Sequence, residues 1–306
     1  MIAHRMPVVI AVMATAAQAV SFAFLASGWI SVVVRSTAAS IAVLKSSATS
    51  TRRPKPMMSA RSVVDRGNTN VRLAEITLAT TGAGVLLPDL RGHYGTDGPR
   101  GDVRYIGQFE DDLADLVAGY RRPGQKLVMV GHSSGGGLVI RFAGGVYGGA
   151  LDGAVLMAPY LRHDAPTVVT DGAVAAGGWA RPLVRRLIGL SMLNAVGVRL
   201  ANGVTVMEFN LPEGALARTM TGAYSYRLNT SYAPRWDYLA DVAALPDFLF
   251  LVGRDDEAFQ AEAFEPAMSA VTQRGQYHVL DGVSHLDVFL NARAAGLVAG
   301  FISGLE

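Results

Sequence analysis

Short apolar runs alternate with amphipathic helical patterns from about residue 62 to the end of the chain. Five of the runs are nearly continuous in apolar residues, as expected for strands that are buried on both faces of a parallel sheet. These runs span residues 84–90, 126–131, 153–159, 247–253 and 276–280.

Helical patterns separate these runs. The stretch QFEDDLADLVAGY between the first two places one set of apolar residues on a single helical face: Phe109, Leu113, Leu116, Val117 and Tyr120. Further helices are predicted over 135–145, 261–273 and 291–302. The alternation predicts an α/β fold in which a mostly parallel sheet is flanked by helices. Residues 163–240 interrupt it with helical pieces that contain Arg, Met and Tyr, which predicts an inserted helical lid.

The N-terminal part has a different texture. Residues 6–34 carry no charged side chain and are long enough to cross a bilayer, which needs about 20 apolar residues. This segment has three interpretations: a membrane anchor, an export signal cleaved near Ala17-Gln18-Ala19, or a buried or poorly ordered extension. We favour membrane association, with a cytoplasmic location as the alternative. A basic Ser/Thr-rich linker follows, so we divide the chain into residues 1–61 and a main domain over 62–306.

Composition narrows the function. Half of the 306 residues are hydrophobic and 17% are charged, which is typical of a globular or partly membrane-bound protein rather than a disordered one. The chain has no cysteine, so disulfides, thiolate catalysis and Cys-ligated zinc are excluded. The first 62 residues hold seven Lys/Arg and no Asp/Glu, and the remainder has a net charge of −5. No basic patch suggests a nucleic-acid partner.

A serine between glycines follows the second apolar run, in VMVGHSSGGGL. Gly131, Ser133 and Gly135 form the pattern Gly-x-Ser-x-Gly at a predicted strand-to-helix turn, where a serine hydroxyl projects from the carboxyl end of a strand. The backbone N–H of Ser134, at the helix N-terminus, can then donate to a developing oxyanion. A phosphate-binding loop is not favoured, because no Lys-Ser/Thr follows the glycines.

A serine nucleophile needs a base and an orienting acid. Of six histidines, His285 follows the last predicted strand and is the best candidate for the base. The remaining ones are assigned to packing (His132), a strand (His278), loops that could line the site (His93, His163) and the segment ahead of the domain (His4). For the acid, Asp256 follows the strand at 247–253, with its neighbour Asp255 as the second choice.

Four segments together resemble one family. GHSSGG, GRDDEAF, GVSHLD and LLPDLRGHYGTDGPRG are similar to the α/β-hydrolase family, particularly its lysophospholipase and monoacylglycerol-lipase-like branch, from about residue 70 to 306. The resemblance implies Ser133 as nucleophile, Asp256 as acid, His285 as base and residues 163–240 as the lid. It implies neither a metal nor an organic cofactor.

The resemblance fails upstream of Ser133. Family members usually carry a His-Gly turn that supplies the second oxyanion donor, and no His-Gly dipeptide is present there. We expect a backbone N–H at Gly67, or at the adjoining Arg66, to take that role, after a short strand at 62–64 and before a helix over 71–84. Residues 1–60 do not resemble the opening strands of the family. Either WISVVV and IAVL replace them, or the sheet is incomplete on that side.

These observations predict a serine hydrolase that cleaves carboxylic esters. A lipid-like acyl ester is favoured by the mixed apolar and aromatic character of the predicted lid, which includes Trp179, Leu187, Met192, Leu193, Phe209, Tyr224, Tyr226 and Tyr232. Two alternatives remain. One is a catalytically impaired binding protein with the same fold, and the other is an acyltransferase that uses the same three residues.

Overall fold

The computed structural model describes residues 7–13, 60–61, 83–93, 96, 98–169, 180–210 and 221–305. Its core is a seven-stranded sheet in the order β10-β9-β5-β4-β1-β3-β2. The strands are β1 (Val8–Met13), β2 (Ala60–Arg61), β3 (Gly84–Pro88), β4 (Leu127–His132), β5 (Gly153–Met157), β9 (Phe248–Gly253) and β10 (Gly275–Leu280). Every neighbouring pair is parallel except β2 with β3. The predicted α/β fold with a mostly parallel sheet is confirmed.

The centre of the sheet is buried on both faces. Every residue of β4, β5 and β9 is buried, which explains why these strands have continuous rather than alternating apolar sequences. The five predicted strands all form, and each observed end lies within two residues of the predicted one.

Helices cover the sheet. The principal ones are α1 (Gln108–Tyr120), α2 (Ser134–Ala143), α6 (Phe264–Ser269) and α7 (Ala292–Gly304). The predicted inner face of α1 packs into the core through Phe109, Leu113 and Leu116, whereas Tyr120 at its end is exposed. The helix predicted over 261–273 is shorter, because a 3₁₀ turn at Ala261–Ala263 replaces its beginning.

The first strand corrects the interpretation of the N-terminal part. β1 lies between β3 and β4, and Ile10 is fully buried in the main core. These residues fall inside the segment, 6–34, that we assigned to membrane association and placed outside the main domain. A run of apolar, β-branched residues is compatible both with a buried strand and with the start of a longer apolar helix. Hydrophobicity alone therefore did not distinguish these two structures.

The other N-terminal predictions lie outside the described residues. They include the remainder of 6–34, WISVVV, IAVL, the strand at 62–64, most of the helix over 71–84, and Gly67. Among the residues that the structure does describe, no helix is both long and apolar enough to cross a bilayer.

The segment predicted as a helical lid contains strands as well as helices. Strands β6 (Ala180–Pro182), β7 (Thr205–Phe209) and β8 (Ala223–Ser225) form a separate antiparallel sheet. They are accompanied by α3 (Val184–Ala195) and α4 (Tyr226–Tyr232), and α5 (Tyr238–Ala243) leads back to β9. The prediction missed these strands because two of them span only three residues, too few to show an alternating pattern.

Candidate active site

Ser133 lies on a sharp turn between β4 and α2. Its backbone has φ 53° and ψ −121°, a conformation that is unusual for a residue with a side chain. The end of β5 and the loop after it hold Ser133 there: the Ser133 N–H donates to the carbonyl of Met157 at 2.9 Å, and the Ser133 carbonyl accepts from the N–H of Tyr160 at 2.9 Å. This strained backbone conformation occurs at the residue whose hydroxyl contacts His285.

Glycines permit this turn for steric reasons. A β-carbon at Gly131 would lie 2.6 Å from the carbonyl carbon of Gly135, so a side chain there would collide with the start of α2. A β-carbon at Gly136 would lie 2.7 Å from Pro159, and one at Gly137 would lie 2.7 Å from the carbonyl oxygen of Tyr160. The glycine run therefore serves the close approach of α2 to the neighbouring loops.

His285 lies in the loop between β10 and α7. Its Nε2 is 3.0 Å from the hydroxyl oxygen of Ser133, and the histidine is only 1% exposed. Phe259 packs edge-on against the imidazole at 5.3 Å between ring centroids. The ring is thus shielded from bulk water and touches the serine hydroxyl.

Asp256 completes a continuous chain of hydrogen bonds. Its Oδ2 lies 2.9 Å from Nδ1 of His285, and its Oδ1 accepts 2.8 Å hydrogen bonds from the N–H groups of Ala258 and Phe259. Because Oδ1 is held by two amides, the carboxylate has one orientation toward the imidazole. Asp255, the second choice, is exposed and uses its backbone N–H to bond Val283.

The three residues come from three strand ends. Ser133 follows β4, Asp256 follows β9 and His285 follows β10. The carboxyl ends of parallel strands lie at one edge of the sheet, so residues far apart in sequence meet there. The geometry supplies a hydroxyl, an imidazole that can accept its proton, and a carboxylate that can stabilise the imidazolium.

His132 contacts the same group of residues. Its Nε2 donates to the backbone carbonyl of His285 at 2.8 Å, and its ring lies 4.8 Å from the His285 ring and 5.1 Å from that of Phe289. Burial, and to a smaller extent the neighbouring His285, lowers the pKa of His132 from 6.5 to about 3. His132 is therefore a neutral hydrogen-bond donor. The packing role predicted for it omitted this hydrogen bond.

Glu257 is a second contact that the sequence did not reveal. Its Oε2 accepts from the backbone N–H of His285 at 3.1 Å. Together, His132 and Glu257 hold both backbone polar groups of His285. No sequence signal identifies Glu257, since it is one of three successive acidic residues.

The remaining histidines take other positions. His93 is buried, with its Nε2 bonded to the hydroxyls of Tyr224 and Tyr232, and burial lowers its pKa to about 4. His163 is exposed, and His278 lies in β10 as predicted. The structure assigns none of the three to the serine.

The start of α2 bears on oxyanion stabilisation. Ser134 is the first residue of α2, and N–H groups in the first turn of a helix have no carbonyl partner within the helix. On the other side, Met13 at the carboxyl end of β1 is in register with His132. Gly67, our predicted second donor, lies outside the described residues.

Within the part of the chain that the structure describes, no group of His, Asp and Glu is arranged to hold a metal ion.

Comparison with known proteins decides the family. The model of the alpha/beta hydrolase family matches residues 70–299, well over half of the chain. The chain belongs to the alpha/beta hydrolase family. This confirms the resemblance seen in the sequence, although the matched region begins after β1. No curated protein sequence matches the chain.

Solved structures with the same fold include lipases and esterases. The monoacylglycerol lipase of Paleococcus ferrophilus is 14% identical with a TM-score of 0.60, over 99% of this chain and 97% of that one. A soluble variant of the monoglyceride lipase of Saccharomyces cerevisiae is 12% identical with a TM-score of 0.58, over 99% and 87%. A structure reported with carboxylesterases of Nitrososphaera gargenis is 13% identical with a TM-score of 0.53, over 99% and 92%. At these identities, the likeness concerns the fold.

Proposed function

We propose that this hydrolase cleaves carboxylic esters with Ser133 as nucleophile, His285 as general base and Asp256 as the orienting acid. One observation carries the proposal: the hydrogen bonds from the Ser133 hydroxyl through His285 to Asp256 are continuous, at 3.0 and 2.9 Å. Family membership and the lipase and esterase structures support the same conclusion.

Acylation begins at the serine hydroxyl. Nε2 of His285 takes the proton as Oγ of Ser133 attacks the ester carbonyl carbon, which becomes tetrahedral and carries its charge on the former carbonyl oxygen. The imidazolium is stabilised by Asp256. It then protonates the departing alkoxide, so an alcohol leaves and the acyl group remains on Ser133.

Deacylation repeats the sequence with water. Nε2 of His285 removes a proton from water as the water oxygen attacks the acyl carbon, and the imidazolium returns the proton to Oγ of Ser133. A carboxylic acid is released and the starting state is restored. An alcohol in place of water would make the same residues an acyltransferase.

The Ser134 N–H is the proposed first oxyanion donor. It stands at the N-terminus of α2, where backbone N–H groups and the helix dipole both favour negative charge. A donor of this kind contributes about 100- to 1000-fold to turnover. The second donor, which we predict at Gly67, stays a prediction.

The substrate class proposed is a lipid-like acyl ester. Monoacylglycerol lipases are among the structures that share the fold. The aromatic residues of the inserted segment give less support, because Tyr224, Tyr226 and Tyr232 are buried and contribute to packing. Met192 and Leu193, in contrast, are exposed on α3.

A fluorophosphonate probe tests the proposal, because it labels only an activated serine. We expect the wild-type protein and Ser134→Ala to be labelled, and Ser133→Ala to lose all labelling. Ser134→Ala is the matched control, since it removes a neighbouring hydroxyl and keeps the backbone N–H. A folded wild-type protein that resists labelling would refute the active hydrolase and favour the binding protein.

Product analysis then defines the reaction. We expect 4-nitrophenyl esters of increasing chain length to be hydrolysed by the wild type and not by Ser133→Ala, with the longer acyl chains preferred. Glycerol added as a competing acceptor distinguishes an acyltransferase from a hydrolase. If the acyl group is transferred mainly to glycerol, giving a new ester instead of the free acid, the protein is an acyltransferase.

A further inference from the structure

The outer side of α3 carries an apolar surface with no partner within the described chain. Five apolar residues, spaced four apart, are exposed along α3 and the turn that follows it: Val184, Ile188, Met192, Val196 and Leu200. We call these five the α3 face. Leu200 is fully exposed and Met192 is 67% exposed. Large apolar residues exposed in such a series are typical of interaction surfaces.

The α3 face points outward because the opposite side of the helix is anchored. Leu190 is buried with Val206 and Tyr226 in a small core of its own. The Ser191 hydroxyl bonds the hydroxyl of Tyr226 at 3.1 Å. With one side of α3 fixed in this way, the apolar residues on the other side are held in solvent.

The turn after α3 is fixed as well. The side-chain amides of Asn194 and Asn202 donate to each other at 2.6 and 2.9 Å, and Asn202 is buried. These bonds tie the chain beyond Val196 and Leu200 back to the helix. The α3 face is therefore a preformed part of the fold.

The charged residues between 180 and 207, the part of the chain that carries the α3 face, are all positive. Residues 180–207 include four exposed arginines and no Asp or Glu: Arg181, Arg185, Arg186 and Arg199. Among the described residues, Arg181 forms an ion pair with Glu208 of β7, and Arg186 donates to the carbonyl of Thr205 at 3.0 Å. Arg185 and Arg199 are therefore the arginines best placed to meet an anionic surface. The chain after residue 62 is acidic overall, so this positive region stands out from its own domain.

We propose that the α3 face docks the protein on an anionic lipid bilayer. An apolar helical stripe flanked by arginines is the pattern of helices that lie in a membrane interface, with apolar side chains below the headgroups and arginines beside the phosphates. A second copy of the chain fits less well, because a two-fold contact would bring like-charged arginines together. The inference does not depend on the proposed reaction.

Vesicle flotation with the full chain tests this directly. We expect binding to vesicles of phosphatidylcholine and phosphatidylglycerol mixed at about 3:1, weaker binding to pure phosphatidylcholine, and release from the anionic vesicles as salt is raised. Absence of binding to the anionic vesicles would overturn the proposal.

A double variant and a control variant test whether vesicle binding occurs through the α3 face. Ile188→Ser combined with Met192→Ser should lower the vesicle partition constant by about tenfold or more, since two apolar side chains no longer enter the interface. The matched control is Val146→Ser, because Val146 is an apolar residue that is 92% exposed elsewhere, just after α2. Binding that survives the double substitution would place the membrane contact elsewhere in the chain and refute the proposal.

The arginines are tested separately. Arg185→Gln combined with Arg199→Gln should weaken binding to the anionic vesicles by about 30-fold and leave binding to neutral vesicles unchanged. Arg122→Gln with Arg293→Gln, two exposed arginines outside the inserted segment, is the control. Equal losses in the two pairs would show general attraction without docking by the α3 face.

Analytical ultracentrifugation tests the alternative that a second copy of the chain covers the α3 face. If the wild type is dimeric, and Ile188→Ser with Met192→Ser makes it monomeric without changing vesicle binding, the α3 face contacts a second copy and the bilayer proposal is wrong. A monomeric wild type that binds anionic vesicles through the α3 face supports it.

Discussion

The imidazole of His132 donates a hydrogen bond to the backbone carbonyl of His285, the residue that contacts the Ser133 hydroxyl. The bond fixes the proton of His132 on Nε2, since a carbonyl oxygen only accepts. It also joins the end of β4 to the loop after β10, so that the residue before Ser133 positions the loop that carries His285.

His132→Leu should therefore affect both stability and reactivity. The carbonyl of His285 would remain buried without its donor, at a cost of about 1–3 kcal/mol in the free energy of unfolding. Fluorophosphonate labelling of Ser133 should slow as well. His132→Gln, which retains an amide donor, should recover part of both losses. A loss of stability with an unchanged labelling rate would limit His132 to packing.

Two buried histidines predict an acid-sensitive fold. Burial lowers the pKa values of His93 to about 4 and of His132 to about 3, from 6.5. The unfolded chain therefore binds more protons below pH 6.5, and stability falls as the pH falls from there toward the folded pKa values.

Between pH 7 and pH 5, each of these histidines should lower the free energy of unfolding by about 2 kcal/mol, since one pKa unit corresponds to about 1.4 kcal/mol. Urea titrations at the two pH values measure this. His132→Gln should show a smaller drop than the wild type, by about the contribution of one histidine. An equal drop in both proteins would show that His132 is not the group responsible.

Asp256→Asn should lower the rate of ester hydrolysis by about 10⁴-fold while the protein stays folded. The amide oxygen can keep the bonds from Ala258 and Phe259, which turns the amide nitrogen toward His285. An amide N–H that donates to Nδ1 of His285 requires the ring proton to be on Nε2. Nε2 can then no longer accept the proton of the Ser133 hydroxyl.

Asp255→Asn is the matched control for this change, because Asp255 is exposed and adjacent. It should retain nearly wild-type activity, as measured by steady-state kinetics on the same ester. Comparable losses in the two variants would contradict the assignment of Asp256 as the orienting acid.

Ile10→Ala should destabilise the protein by about 2–5 kcal/mol, because a fully buried core side chain would be replaced by a cavity. Ile188→Ala, at an exposed position on the α3 face, should change stability by less than about 0.5 kcal/mol. Chemical denaturation of both variants measures the difference. Equal stabilities would place residues 8–13 outside the sheet.

Sequence patterns predicted the parts of this molecule that follow local rules. The apolar runs located β4, β5 and β9, because strands buried on both faces need continuous apolar sequence. The glycines around Ser133 predicted a sharp turn, since the start of α2 leaves no room for a β-carbon at Gly131. Choosing between Asp255 and Asp256, however, required the orientation of each side chain.

Features that depend on distant partners were not predictable in this way. β1 belongs to the sheet because it pairs with both β3 and β4, which are distant in sequence, and no local pattern shows this pairing. The bond from His132 to the carbonyl of His285 also leaves no trace in the sequence, because a backbone carbonyl is the same at every residue. Three-residue strands such as β6 and β8 gain their conformation from pairing rather than from their own composition.

The central position of β1 has a consequence for synthesis on the ribosome. β1 is translated before both of its neighbours, yet it pairs with Leu127–His132, which leaves the ribosome much later. At about 5–20 residues per second, the nascent strand waits several seconds with both edges unpaired. An apolar strand with open edges is a binding site for chaperones and a risk for aggregation. The yield of folded protein in a cell should therefore depend on what protects the first strand until the fourth arrives.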